Sequence, residues 1–251
     1  MPTLMRVVTV ALTLLGAACV TAPAPTPMTS VKHELDGAKA KCLVLFLPGR
    51  GDAAADFDKY GFVQAMREKG LSVDTVAADA TVGYYMRGLM PEQFERDVAA
   101  PAREKGYAQT WVIGASMGGM GTALYSRSHP VTGVLMVAPF LGDPGIAREI
   151  RAQGGLAKWK APEKLEAITA DTYQREVWRW LQAVTSGAEQ GPDIYLGWGT
   201  EDSLGTQAAV LGDALPEGHV ITVPGGHRWT TWKVILDKFL ADSDFARSCA
   251  P

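Results

Sequence analysis

Short apolar segments alternate with amphipathic segments along most of this chain, and that alternation limits the folds open to it. Segments 41–47, 110–113 and 131–138 are almost continuously apolar, which is typical of parallel strands buried on both faces. The stretches between them carry apolar residues three or four positions apart, which predicts helices. Strands that alternate with helices of this length form a parallel sheet covered on both faces. The sequence therefore predicts an α/β fold.

The same pattern assigns most of the chain to six strands and five helices. We predict strands at 41–47, 72–77, 110–113, 131–138, 193–198 and 219–223, and helices at 56–69, 91–105, 117–129, 169–184 and 230–241. The interval of about 141–190 contains no predicted strand. An insertion after the carboxyl end of a strand lies above the crevice where open α/β sheets bind ligands. We interpret this interval as a small helical lid.

Three tryptophans lie in the predicted lid. Trp180 shares one face of the 169–184 helix with other apolar residues, so we expect it to pack the lid onto the body. Trp159 and Trp178 either pack in the same way or contact substrate, and we take them as candidate substrate-binding residues.

Composition excludes several functional classes. The 251 residues are 47% hydrophobic and 20% charged, which is enough apolar surface for a folded core. A net charge of −3 without a basic stripe argues against nucleic-acid binding. The three cysteines show no CxxC or Cys/His spacing typical of zinc. We therefore expect one folded domain over 31–251, without a metal or a nucleic-acid partner.

The amino-terminal residues predict export. MPTLMR is followed by VVTVALTLLGAA, an uncharged run that is typical of a secretory signal peptide over 1–18 and is shorter than the roughly 20 residues that span a bilayer. Leu15-Gly16-Ala17-Ala18-Cys19 resembles the lipobox of bacterial lipoproteins, which implies a lipid anchor on Cys19 and attachment to a membrane of the bacterial cell envelope. A plain signal peptide cleaved nearby is the alternative. Residues 19–30 are Pro-rich and are expected to form a tether.

Export also bears on the other two cysteines. Cys42 begins the first predicted strand, and Cys249 follows the last helix, which runs back toward the edge where the strands begin. In an oxidising compartment the two thiols could form a disulfide. The sequence equally allows two unpaired thiols.

The segment Gly114-Ala115-Ser116-Met117-Gly118 is a G-x-S-x-G motif between a buried strand and a helix. The flanking glycines are needed because the turn is so sharp that side chains there would clash. A serine hydroxyl in this turn is a nucleophile if a neighbouring base removes its proton. The alternative is a helix-capping serine in an ordinary turn, and we favour the nucleophile.

His227 is the candidate base. It follows a predicted strand in a Gly-rich loop, which places it at the same sheet edge as Ser116. The remaining histidines lie before a strand, at a helix end and at a strand entry: His33, His129 and His219. A carboxylate must hold the base in one tautomer, and Asp202, in the loop after another strand, is our candidate, with Glu201 as its alternative.

Two backbone N–H groups are candidates for stabilising an oxyanion. Met117 directly follows the nucleophile at a helix amino terminus. Arg50 lies in the loop after the first predicted strand, where glycines on both sides let the backbone turn inward. The Arg50 side chain has two possible uses. It could bind an anionic substrate, or pair with Asp52 or Asp56, which is the commoner fate of such a residue.

Four segments, LFLPGRGD, GASMGG, GWGTEDSL and PGGHRWTTW, carry these residues in order. In this respect the chain from about 41 to 241 resembles the serine hydrolases of the α/β-hydrolase fold. The resemblance implies a mostly parallel, eight-stranded sheet flanked by helices. It also implies esterase, lipase, thioesterase or peptidase activity without a cofactor. Within that range we favour a carboxylesterase-like enzyme, which cleaves small-molecule esters through an acyl-enzyme intermediate with Ser116, His227 and Asp202.

Other functions use the same residues. PGRG in place of HGGG argues against the esterases that use that loop, and a short lid argues against a large interfacially activated lipase. A thioesterase or an acyltransferase would share the three catalytic groups. A non-catalytic envelope protein that binds a partner in the cleft is the alternative from another class, but it has no physical need for all three groups.

Overall fold

The computed structural model describes residues 22–35, 39–165, 167–169 and 171–251. The predicted signal peptide, Cys19 and the first part of the predicted tether lie outside the described residues. Within the described ranges, no helix combines the length and the apolar character needed to cross a bilayer.

The described part of the chain is built around one seven-stranded sheet in the order β1-β3-β2-β4-β5-β6-β7. The strands are β1 (Ser30–His33), β2 (Cys42–Leu47), β3 (Val73–Ala78), β4 (Gln109–Ala115), β5 (Gly133–Val137), β6 (Asp193–Gly199) and β7 (Val220–Val223). β1 pairs antiparallel with β3, and all other neighbours are parallel. The predicted mostly parallel sheet is confirmed, with seven described strands where the resemblance implied eight.

Helices cover both faces of the sheet. They are α1 (Asp56–Lys59), α2 (Phe62–Glu68), α3 (Val82–Met86), α4 (Met90–Phe94), α5 (Ala100–Arg103), α6 (Met117–Ser126), α7 (Pro144–Ala152), α8 (Tyr173–Thr185), α9 (Gly205–Gly212), α10 (Trp229–Asp242) and α11 (Asp244–Ser248). A π-helical turn (Glu95–Ala99) joins α4 to α5. The single helix predicted at 56–69 is two helices, because Gly61 between them has a left-handed φ of 78°.

Alternate residues of β2 enter the two cores. Leu43, Leu45 and Leu47 pack in one core with residues of α6 and α8, and Val44 and Phe46 pack in the other with residues of α2 and α10. A strand with both faces covered requires apolar residues at every position, which explains the unbroken apolar run. The strand is buried along its whole length.

A disulfide joins Cys42 to Cys249, whose Cα atoms lie 5.7 Å apart. The bond connects the start of β2 with the turn after α11, and both cysteines are fully buried. The loop it closes spans a sequence separation of 207 residues. In the chain-entropy model, a loop of this length stabilises the folded state by about 5 kcal/mol. The bond therefore fixes the carboxyl terminus to the central sheet.

Residues 22–28, predicted as part of a tether, lie against the domain. The carbonyl of Ala22 accepts a hydrogen bond from the Arg87 guanidinium at 2.8 Å, and the carbonyl of Pro23 accepts one from the Thr81 hydroxyl. The Met28 N–H donates to Asp97 at 2.7 Å. The described part of this segment is therefore docked on α3 and its neighbours rather than extended away from them.

Candidate functional site

Ser116 occupies a strained turn between β4 and α6. Its φ of 53° and ψ of −114° are rarely adopted by residues with a side chain. A Cβ atom on Gly114 would overlap the carbonyl oxygen of Gly118, and one on Gly118 would overlap that of Leu47. Glycine at both positions lets α6 start directly against β2 and β4. The turn therefore presents the Ser116 hydroxyl at the carboxyl edge of the sheet.

Three side chains from three loops form one hydrogen-bonded chain at this edge. His227, in the loop after β7, has its Nε2 atom 2.9 Å from Ser116 Oγ. Its Nδ1 atom is 2.8 Å from Oδ2 of Asp202, which lies in the loop after β6. If Nδ1–H donates to the carboxylate, Nε2 is left unprotonated and accepts the serine proton. The geometry thus suits proton transfer from Ser116 to His227.

The Asp202 carboxylate is held in place from more than one direction. Its side chain is fully buried, whereas that of His227 is 29% exposed. Oδ1 of Asp202 also accepts the Leu204 N–H at 2.8 Å. Glu201, the alternative acid, is exposed and makes no side-chain hydrogen bond to His227 among the described residues. The structure therefore brings Asp202, rather than Glu201, to the imidazole.

Aromatic packing limits rotation of the His227 ring. Trp232, in the first turn of α10, packs perpendicular to it, with ring centroids 5.0 Å apart and an interplanar angle of 83°. Trp232 in turn contacts Trp229, which stacks on Tyr60 at 4.8 Å. Because these rings are fixed by one another, the imidazole is held near Ser116 before any ligand binds.

Met117 and Arg50, the two candidate oxyanion donors, each have a backbone N–H without a described acceptor. Met117 is the first residue of α6, so its N–H has no acceptor within the helix. Arg50 lies in the turn after β2, and no acceptor for its N–H is found among the described residues. Both residues line the same cavity as Ser116. They are suitably placed to donate to an oxygen that becomes negatively charged next to Ser116.

A cavity of about 630 Å³ opens at Ser116 and His227. Its walls come from α3, the first turns of α6, the loop after β5, α8 and the loop before α9. Its mainly apolar lining residues are Val82, Tyr85, Met86, Met117, Met120, Phe140, Tyr173 and Leu204. We call it the apolar cavity. A cavity of this size and character accepts a small organic group.

Tyr85 contributes a neutral wall to the apolar cavity. Burial raises the pKa of its phenol well above the ordinary value, and its hydroxyl has no hydrogen-bond partner among the described residues. The wall therefore carries no charge at neutral pH.

A second cavity, of about 450 Å³, is lined by the same two residues. It shares Arg50, Ser116 and His227 with the apolar cavity. Its other lining residues are Asp52, Tyr60, Arg228, Trp229, Thr230 and Trp232. We call it the arginine cavity. Ser116 and His227 thus line both a mainly apolar cavity and a cavity that contains two arginines.

The structure contradicts the prediction that Trp159 and Trp178 contact substrate. Both are buried and neither lines a cavity at Ser116. Trp178 donates its indole N–H to the Leu141 carbonyl at 2.9 Å, and Trp159 donates to Glu149 at 2.9 Å. They pack the lid onto the body in the way predicted for Trp180, which is also buried. Helical spacing alone could not separate these roles, because α8 buries more than one face.

Tyr173 and Phe140, which we did not predict as site residues, line the apolar cavity in place of the two tryptophans. Tyr173 begins α8, and Phe140 follows β5. The only sequence signal for Phe140 was its position directly after the carboxyl end of a strand.

The Arg50 side chain also differs from the commoner of the two expectations, that it pairs with a nearby aspartate. It forms no ion pair with Asp52 or Asp56. Asp52 accepts the indole N–H of Trp229 at 3.1 Å, and Asp56 accepts the Ala53 N–H at 2.8 Å. Both carboxylates are thus engaged elsewhere, and Arg50 lines both cavities.

The other histidines lie away from Ser116, as predicted. His219 stacks on Tyr195 at 4.2 Å and His129 stacks on Tyr125 at 4.7 Å. His33 lies 4.0 Å from Asp58. Within the described ranges, no cluster of His, Cys, Asp or Glu side chains could hold a metal ion.

Comparisons with known proteins identify the fold. No protein-family model matches the sequence, and no curated protein matches it significantly. Many solved structures match the fold. A ferulic acid esterase is 16% identical, with a TM-score of 0.59 over 89% of this chain and 99% of that one. Est1E from Butyrivibrio proteoclasticus is 14% identical, with a TM-score of 0.58 over 88% and 97%.

A third similar structure is FphF, a fluorophosphonate-binding serine hydrolase from Staphylococcus aureus. It is 11% identical, with a TM-score of 0.58 over 90% of this chain and 100% of that one. At these identities the similarity concerns the fold, and it extends over nearly the full length of each relative. Together with the sheet order and the turn at Ser116, it shows that this chain has the α/β-hydrolase fold.

Proposed function

We propose that this chain is a serine hydrolase that cleaves carboxylic esters of small molecules. The observation that carries the proposal is the hydrogen-bonded chain from Ser116 through His227 to Asp202, with distances of 2.9 and 2.8 Å, at the mouth of an apolar cavity. The similar structure that is named as a ferulic acid esterase supports the same reaction class.

In the proposed reaction, Ser116 Oγ attacks the ester carbonyl carbon while His227 Nε2 takes the serine proton. The carbonyl oxygen becomes an oxyanion, to which the N–H groups of Met117 and Arg50 donate. His227 then returns the proton to the leaving alcohol, and the acyl group stays on Ser116. Water attacks the acyl-enzyme in the same way, which releases the carboxylic acid and restores the serine.

The buried Asp202 carboxylate has a specific part in this sequence. It keeps the proton on Nδ1, so that Nε2 is the basic nitrogen, and it stabilises the imidazolium that forms after proton transfer. The strained backbone at Ser116 joins β4 directly to α6, whose first residue, Met117, supplies one of the oxyanion donors. The chain therefore supplies nucleophile, base, orienting acid and oxyanion donors without a cofactor.

The apolar cavity is the proposed site of the acyl group. Its walls offer apolar contacts to an alkyl or aryl chain and no charged partner except at the mouth, where Arg50 lies. Hydrolysis of p-nitrophenyl esters with acyl chains of two to twelve carbons tests the proposal. We expect turnover that varies with chain length. Failure of the folded protein to hydrolyse any of these esters would contradict it.

Exchanging Asp202 for asparagine is expected to lower kcat by about 10³- to 10⁴-fold. The amide favours the wrong tautomer of His227, and because it is neutral it does not stabilise the positive charge of the imidazolium. Steady-state hydrolysis of a p-nitrophenyl ester is the measurement. Glu201→Gln is the matched control, since it removes the adjacent carboxylate, which does not reach the imidazole. Equal losses in the two variants would contradict the assignment of Asp202.

We further propose that the protein is exported and attached to a membrane of the bacterial cell envelope through a lipid on Cys19. The buried Cys42–Cys249 disulfide supports export, because such bonds persist in oxidising compartments. Cys19→Ala is expected to move the protein from the membrane fraction to the soluble fraction, whereas Thr21→Ala leaves it with the membranes. Continued sedimentation of the Cys19→Ala variant with membranes would contradict the anchor.

A further inference from the structure

The two cavities at Ser116 differ in chemistry. The apolar cavity lies between α3, α6 and α8, and the arginine cavity lies between the turn after β2 and the start of α10. An ester bound with its carbonyl carbon at Ser116 Oγ extends in two directions, one toward its acyl group and one toward its alcohol. If the acyl group occupies the apolar cavity, the alcohol faces the arginine cavity.

Two arginines, Arg50 and Arg228, line the arginine cavity. The side chains of Arg50 and Arg228 form no ion pair with any described carboxylate. Asp52, which lines the cavity, accepts the Trp229 indole N–H, and Asp202 binds His227. A guanidinium has five N–H donors in a planar fork that fits a carboxylate or a phosphate. The two arginines therefore have hydrogen-bond donors available for a carboxylate or phosphate of a bound molecule, because no described carboxylate pairs with them.

Aromatic side chains also line the arginine cavity. Tyr60 and Trp229 stack at 4.8 Å with an interplanar angle of 9°, and Trp232 is fixed against His227. These rings offer apolar surface against which an aromatic or aliphatic alcohol can pack. Asp52 is the one carboxylate that lines this cavity, so the two arginines leave an excess of positive charge.

We propose that the arginine cavity binds the leaving alcohol, and that Arg50 and Arg228 select alcohols that carry a carboxylate or phosphate group. The inference rests on the proposed ester hydrolysis and adds its substrate class, an ester of an apolar acid with an anionic alcohol. Hydrolysis consumes one water and releases the acid and the anionic alcohol. The alcohol oxygen takes its proton from His227.

Three esters that share a butanoyl group and a phenolic leaving group test this selection. They are 4-(butanoyloxy)benzoate, 4-(butanoyloxy)phenyl phosphate and the neutral methyl 4-(butanoyloxy)benzoate. The measured quantity is the ratio of kcat/KM for each anionic ester to that for the neutral ester, at low ionic strength. Comparing this ratio between variants cancels the intrinsic reactivity of each leaving group.

We expect Arg228→Gln to lower at least one of the two ratios tenfold or more relative to the unmodified chain. Arg50→Gln keeps the backbone N–H and is expected to lower the same ratio. Lys69→Gln is the matched control, because it removes one positive charge in the turn before β3, at the opposite edge of the sheet. It is expected to leave both ratios unchanged. Added salt is expected to lower the ratio of the unmodified chain, since it screens exposed charges.

The outcomes separate the two proposals. A fall confined to the carboxylate ester or to the phosphate ester supports the selection and identifies the group that is bound. Unchanged ratios in both arginine variants, with the neutral ester still hydrolysed, would overturn the selection and leave the proposed function intact. Absence of hydrolysis for all three esters and for the p-nitrophenyl series would overturn the proposed function, and the selection with it.

Discussion

Replacing Ser116 with alanine is expected to lower kcat for p-nitrophenyl ester hydrolysis by at least about 10⁴-fold, because no other group can form the acyl-enzyme. The melting temperature is expected to stay within about 2 °C, because the lost Oγ atom bonds only His227 and surface changes of this kind cost little stability. Initial rates at saturating substrate, paired with thermal unfolding of the same preparation, measure both effects.

His227→Ala is expected to cause a similar loss, and the double variant no further loss, because the two residues act as one unit. Ser128→Ala, which removes an exposed hydroxyl after α6, is the control for serine removal in general. Hydrolysis that survives in Ser116→Ala would refute the nucleophile. Losses that multiply in the double variant would refute the coupling of the two side chains.

The Gly118→Ala substitution is expected to destabilise the fold strongly. The new Cβ atom would overlap the Leu47 carbonyl oxygen, which belongs to the backbone of β2 and cannot rotate away. α6 must then move off the sheet, which costs about 3 kcal/mol or more. For a chain of this size, that corresponds to a fall in melting temperature of roughly 6–12 °C.

The same displacement would move the Met117 N–H and the Ser116 hydroxyl away from His227, so hydrolysis is expected to fall as well. Gly226→Ala is the control for stability, since a Cβ atom there would meet its nearest neighbour at 3.7 Å, an ordinary contact. If Gly118→Ala unfolded at the same temperature as Gly226→Ala, the close approach of α6 to β2 would be contradicted.

Much of the fold could be predicted because its signals are local. The central strands are buried on both faces, so their sequences are continuously apolar and easy to recognise. β1 was missed because it lies at the sheet edge, has only four residues and carries a single apolar side chain, Val31. α3 was missed because it has only five residues, and a helix this short is stable only when it packs against neighbouring elements.

The positions of the candidate site residues could also be predicted from local signals. The turn at Ser116 has a sequence signature because its backbone tolerates little besides glycine on either side. His227 and Asp202 each follow the carboxyl end of a predicted strand, so both could be placed at the same edge of the sheet as Ser116. The sequence could not exclude Glu201, because adjacent residues in one loop differ only in the direction of their side chains.

The Trp178 prediction failed because a pattern of apolar residues does not show whether a face meets a cavity or a core. Arg50 posed a similar problem, because its pairing depended on whether Asp52 was already engaged by Trp229, 177 positions further along the chain. Both outcomes depend on tertiary contacts that no local segment encodes.

Labelling with a fluorophosphonate probe tests the central claim most directly, because such a probe reacts with a serine only where a base and oxyanion donors activate it. Intact mass and peptide mapping would be measured on the folded protein. We predict one adduct per chain, located on Ser116, a strongly reduced labelling rate in His227→Ala, and no adduct in Ser116→Ala. A folded protein that takes up no probe, or carries it on another residue, would contradict the account.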